Sequence, residues 1–253
     1  MLERPDIPDE VITSRLQEQY NLEVTSLSFL PIGADLRTAV YRVITDDGRD
    51  YFLKLRKNFQ EVIVLVPLML GSLGIRSILV PFETQSGQHW ADLGEYKLIL
   101  YPFIQGQDGF ERQMTDAQRR TLGEAFRGIH STKVPDELKN RLRKETFSAE
   151  WRDEMRSFLE QVNDKTFVDP TARKLAEYIQ RQHNEIRRVL ERTEQLALQI
   201  QSHPFELVLC HSDIHGGNIL ISDTDDLYIV DWDDPILAPR ERDLMFIGGG
   251  IDD

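Results

Sequence analysis

His211-Ser212-Asp213-Ile214-His215-Gly216-Gly217-Asn218, followed by Ile229-Val230-Asp231-Trp232-Asp233, is the stretch on which the reading of this chain turns. Each half follows an apolar run of strand-like composition, 207–210 and 227–230, and residues 219–222 form a third such run between them. Polar side chains at the end of a strand are held more rigidly than those on a free loop. Asp213 and Asn218 alone would pass for a turn capped by Asx side chains. His211 before them and Asp231 after them make a turn an insufficient explanation. Gly216 and Gly217 supply the backbone freedom needed for a tight approach to Asn218.

The residue types are those that phosphoryl transfer needs: a carboxylate near the acceptor hydroxyl, and oxygen ligands for the Mg²⁺ that neutralises a polyphosphate. Asp213, Asn218 and Asp231 supply these types; resemblance to the protein-kinase-like fold implies Asp213 as the catalytic carboxylate and Asn218 and Asp231 as the metal ligands, with His211 and His215 the expected orienting residues. A lysine should face them from elsewhere in the chain. Tyr51-Phe52-Leu53-Lys54-Leu55 places one among apolar neighbours, where an ammonium is costly unless paired or bound to phosphate. In the protein-kinase-like fold, which this arrangement resembles, such a strand lysine pairs with a helix glutamate, and Glu61, the only acidic residue of the helix expected after it, is the candidate partner. Leu30-Pro31-Ile32-Gly33-Ala34-Asp35 lies where a phosphate-covering loop belongs but has one glycine, Gly33; no Walker A sequence occurs.

Working outward, helical spacing marks residues 8–20, and strand patterns mark 24–30, 38–45 and 50–56, the last two joined through Asp46-Asp47-Gly48. A helix over 58–70, disturbed by Pro67, and strands over 77–83 and 96–101 complete a β-rich first part. After a connector near 102–110 the period changes, and helices are expected over 115–132, 148–162 and 170–201. The expected fold class is α+β and bilobal: a β-rich N-lobe (1–101), a connector or hinge (102–110), and a mainly helical C-lobe (111–253) holding the catalytic and metal-binding loops.

The chain has 253 residues, 40% hydrophobic and 29% charged, enough for a sizeable core. Its net charge of −13 argues against nucleic-acid or anionic-membrane partners and for a cationic small-molecule substrate. From Cys210 onward eleven acidic residues face two arginines and no lysine, and Asp233, Asp234 and Glu241 are the candidates to meet a substrate ammonium. A single cysteine, no secretory leader and no long apolar run set the expectation of a cytoplasmic protein.

The order Asp213, Asn218, Asp231 resembles the catalytic loop and metal-binding aspartate of the protein-kinase-like fold. Cys210-His-Ser-Asp-Ile-His-Gly-Gly-Asn218, the block from Val230 to Gly250, Tyr101-Pro-Phe-Ile104 and Phe147-Ser-Ala-Glu-Trp-Arg152 are similar to the aminoglycoside phosphotransferase family, spectinomycin phosphotransferases in particular. The resemblance implies ATP as donor, a hydroxyl of spectinomycin or a related aminocyclitol as acceptor, and adenine contacts from Tyr101, Pro102, Phe103 and Ile104. Such relatives continue with further helices that complete the acceptor pocket, so C-terminal helices are expected to be missing here. A metabolic kinase of the same fold, acting on choline, a sugar or an amino alcohol, and a truncated nucleotide-binding protein without catalysis are the alternatives.

Overall fold

A computed structural model describes residues 4–33 and 35–246, the side chain of Asp164 excepted. The end of the quoted block, from Ile247 to Gly250, lies outside the described residues. The chain divides into two compact units: Met1–Arg143 with Val208–Asp253, and Lys144–Leu207.

The first unit opens with helix α1 (Asp9–Tyr20) and strands β1 (Val24–Leu30), β2 (Thr38–Thr45) and β3 (Asp50–Arg56). With β4 (Ala91–Leu93) and β5 (Tyr96–Pro102) these form an antiparallel sheet of order β1-β2-β3-β5-β4. Alternation decides its two faces. Tyr41, Leu53, Leu55, Leu98 and Leu100 join Ile12 and Leu16 of α1 in one apolar cluster. Lys54 sits on the other face, opposite Val40 on β2 and Ile99 on β5. The β2–β3 hairpin closes where Gly48 takes φ +78° and donates to the Thr45 carbonyl at 3.0 Å.

Helix α2 (Val62–Ser72) is apolar on almost every side and buries Val62, Ile63, Val64, Val66 and Leu70. Residues 77–83, expected as a strand, form only a single bridge, Ile78 to Ile229. Pro81 has no N–H for a ladder there, and Ser77 accepts from Ile229 N at 2.8 Å instead. Strand β6 (Gly106–Asp108) lies inside the expected connector. It is followed by helix α3 (Asp116–His130), a one-turn helix α4 (Asp136–Lys139) and β7 (Arg143–Lys144). Thr115 caps α3 in a capping box with Gln118, which fixes the helix start where the sequence pattern puts it.

After the second unit the chain returns as β8 (Val208–Cys210), β9 (Ile219–Ser222), β10 (Leu227–Ile229) and β11 (Ile236–Ala238). Two small sheets result, of order β10-β9-β6 and β7-β11-β8. The second unit carries helices α5 (Glu150–Asp164), α6 (Pro170–Arg181) and α7 (His183–Gln201). The single helix expected over 170–201 is broken at Gln182. Neither glycine nor proline marks the break; both halves pack on α5, around Leu159, Val162, Ala176 and Ala197. Packing overrides the local periodicity.

Gly106 sets how closely β6 approaches β9: a Cβ there would lie 2.2 Å from the Ile221 carbonyl oxygen. Gly106→Ala is therefore expected to destabilise the protein by about 1–3 kcal/mol, measured as a lowered urea midpoint.

Candidate active site

The β9–β10 hairpin builds the centre of the site. Ile219 pairs with Ile229, so Asn218 and Asp231 emerge at the same end, and Val230 N donates to the Asn218 carbonyl at 3.0 Å. Asn218 gives its side-chain amide to the Asp213 carbonyl at 2.8 Å. Asp231 takes φ +64° and Ser212 φ +75°, left-handed conformations that non-glycine residues adopt only where the surroundings impose them.

Asp243 imposes the second of these. Its side chain is fully buried, accepts from the backbone N–H of Ser212 at 2.7 Å and of His211 at 3.2 Å, and meets His130 Nε2 at 2.8 Å. His211 is buried and donates Nε2–H to the Val230 carbonyl at 2.9 Å, which leaves Nδ1 to accept from Asp213 N at 3.4 Å. Burial lowers the pKa of this ring, against the pull of its carbonyl partner and the nearby carboxylates, so it is a neutral strut. Its ring lies edge-on to Trp232, centroids 4.6 Å apart. His215 stacks on Phe110 at 5.6 Å and stands 3.7 Å from Asp213, beyond hydrogen-bond range.

Lys54 reaches this group from β3. Its Nζ lies 2.6 Å from Asp231 and is also paired with Asp233. Burial works against the ammonium, but Asp231 and Asp233 outweigh it and hold the lysine above its ordinary pKa. For Asp231, burial opposes ionisation and Lys54 overcomes it, so the net direction is down. For Asp233, burial and the like charge of Asp231 win against Lys54 and Arg56, and the direction is up. The Asp231 side chain keeps 48% of its surface exposed against 9% for Lys54, so its open side is accessible to a ligand. Asp213 is likewise about half-exposed.

Tyr101 lies on the Lys54 face, opposite Phe52, and burial raises the pKa of its hydroxyl. Pro102 pairs with Tyr51, and Phe103 lies under the Arg42 guanidinium at 4.7 Å. Ile104 follows, before β6. Gly33 takes φ +92° at the β1–β2 turn.

Two expectations are corrected. Glu61 is not the partner of Lys54: it lies just before α2, half-exposed, and pairs with Arg141. Position in the following helix does not bring it to the lysine; the carboxylates after β10 do. Asp233 is not free for a substrate ammonium, because Lys54 and Arg56 already hold it. Asp234 is exposed but paired with Arg143, and Glu241 is exposed on the 3-10 turn Arg240–Leu244. Sequence reasoning missed Asp243, His130 and Arg56. Arg56 was within reach of it, two residues beyond Lys54 on the same strand face.

These elements define a phosphotransferase of the kinase-like fold: a strand lysine bound to an aspartate that follows one hairpin strand, beside an Asp–Asn loop that precedes the other. Residues 28–248 match the phosphotransferase enzyme family known as APH, and the chain belongs to that family. It is similar to spectinomycin phosphotransferase APH(9)-Ia in complex with ADP and spectinomycin: 35% identity and TM-score 0.90 over 98% of this chain and 75% of that one. The AMP-bound complex of APH(9)-Ia gives 34% and 0.86, covering 97% and 76%. The macrolide 2'-phosphotransferase MphH from Brachybacterium faecium shares the fold at 20% identity and TM-score 0.55, over 93% and 76%. The protein is an ATP-dependent phosphotransferase with an alcohol group as acceptor. Among the described residues no helix is long and apolar enough to cross a membrane.

Asp243 is expected to be the main structural support of the loop. Asp243→Ala leaves two backbone N–H groups and His130 without their acceptor, each worth about 1–3 kcal/mol when buried. A loss of about 3–5 kcal/mol in unfolding free energy is expected by denaturant titration, with Asp243→Asn losing less.

Proposed function

We propose that this protein transfers the γ-phosphoryl group of ATP, in the presence of Mg²⁺, to a hydroxyl of a cationic aminocyclitol or aminoglycoside of the spectinomycin type, as an antibiotic-resistance kinase does. The observation that carries the reading is the 2.6 Å contact between Lys54 and Asp231, beside the Asp213–Asn218 loop. The likeness to a relative solved with ADP and spectinomycin supports the donor and the acceptor class. ATP as donor implies a cytoplasmic site of action. Residues 1–101 act as the nucleotide-binding lobe, 102–110 as the connector and 111–253 as the lobe of the catalytic loops.

Each residue then has one task. Asp213, half-exposed and anchored through its own carbonyl by Asn218, aligns the acceptor hydroxyl and takes its proton as the phosphoryl group departs. His211 holds the loop by its two hydrogen bonds, and His215 shapes it by stacking on Phe110. Lys54 binds the nucleotide phosphates, with Gly33 at the turn above and the segment from Tyr101 to Ile104 contacting the base. Asn218 and Asp231 would hold Mg²⁺. Their donor set fits this ion: the Asn218 amide nitrogen is occupied by Asp213, which leaves its oxygen, and Asp231 offers an open carboxylate. The ion, when bound, neutralises the charge of the transferring group. Catalysis is otherwise positioning and fixed charge. Asp234 and Glu241 remain the carboxylates proposed for substrate ammonium groups.

Incubation of spectinomycin with protein, Mg²⁺ and ATP is expected to add one phosphate by mass spectrometry. Asp213→Asn is expected to lower kcat by about 10²-fold or more while nucleotide affinity stays within about twofold. Phosphorylation of choline or a sugar instead would redirect the acceptor, and near wild-type turnover by the variant would remove Asp213 as base.

A further inference from the structure

The β1–β2 turn holds one glycine where glycine-rich loops present several backbone N–H groups to phosphate, so the charge at that end of the site has another source. We propose that Arg56 is a second phosphate-binding cation, which contacts the terminal phosphoryl group of the nucleotide. This rests on the phosphotransferase reading above and assigns a residue that reading does not use.

Arg56 and Lys54 are two apart on β3 and face the same side of the sheet, Arg56 lying about 6–7 Å further along the strand. Its strand partner is Thr38, the first residue of β2, so it sits at the end of the sheet nearest the β1–β2 turn. Phosphates that start at Lys54 and run toward that turn reach Arg56 last. The side chain is 9% exposed. It joins two elements: Asp35 of the turn, and Asp233 after β10 at 2.8 Å.

The distribution of its contacts points to a ligand. Asp35, Asp233 and the Thr38 hydroxyl at 2.5 Å all fall on one nitrogen, Nη1. Nε is buried with no hydrogen-bond partner. A guanidinium that served only to neutralise Asp233 would spread its planar fork over the carboxylate. Here buried donor capacity is left over, at an end of the site that lacks a glycine-rich cradle. Asp233 divides its two oxygens between Lys54 and Arg56, so the guanidinium does not hold that carboxylate alone. Charge on a transferring phosphoryl group is spread over its equatorial oxygens, and an arginine supplied in cis stabilises it.

The test is a calorimetric series of AMP, ADP and a non-hydrolysable ATP analogue, each with Mg²⁺, on wild type, Arg56→Gln and Arg56→Lys. Arg56→Gln is expected to weaken the ATP analogue at least about tenfold, to weaken ADP less, and to leave AMP within about twofold. Arg56→Lys, which keeps the charge that balances Asp233 and loses the fork, is expected to show the same ordering at smaller amplitude, and it decides the matter if Arg56→Gln does not fold. An equal loss for all three nucleotides, or no loss, overturns the proposal and leaves Arg56 a structural tether. A wild-type protein that binds none of the three overturns the phosphotransferase reading itself, and this one with it.

Discussion

An ammonium group with 9% of its side chain exposed, in the middle of a β-strand, is stable only where opposite charge meets it. The chain meets that demand from nearly 180 residues away, with Asp231 at 2.6 Å and Asp233 beside it. This one constraint links the early sheet to the late hairpin, and the rest of the site follows from it. Once Asp231 is fixed against Lys54, the register of β9 and β10 fixes Asn218, and Asn218 fixes Asp213. The arrangement is held by ion pairs of Lys54 and Arg56 with Asp231, Asp233 and Asp35, none of which requires a ligand. It remains open to one because Asp231 and Asp213 keep about half of their surfaces exposed.

The catalytic loop has a second support. Asp243 receives the backbone N–H groups of His211 and Ser212 together with His130 of α3. Cys210 lies close by, its thiol donating to the carbonyls of Ala238 and Pro239 and its pKa pushed up to about 12 by burial. The thiol there is a packed neutral group. Loop geometry is thus set by a fully buried carboxylate, which separates the residues that hold the site from those that are open to a ligand.

Local features were legible in the sequence. The β2–β3 hairpin through Asp46-Asp47-Gly48, the capped start of α3 and the strand at 219–222 all fall where pattern and turn chemistry put them. The Asp213, Asn218 and Asp231 spacing led to residues that do lie together. What failed was long-range pairing. Glu61 stood close to Lys54 in the chain, and Arg141 claimed it; Asp233 was expected to meet a substrate ammonium, and two buried cations hold it. The three-residue strands β4, β6 and β11 have too few side chains to show a period, and exist because a neighbouring strand accepts them. The break at Gln182 has no local signal either, since packing on α5 creates it.

The most direct measurement is a double-mutant cycle on unfolding free energy, with Lys54→Met, Asp231→Asn and the pair. Coupling across the site predicts that the double variant departs from additivity by about 1–3 kcal/mol, because Asp231→Asn takes a partner from a buried ammonium and Lys54→Met takes the cation from Asp231. Additivity within about 0.3 kcal/mol would contradict the central claim, since lysine and aspartate would then be neighbours without being joined.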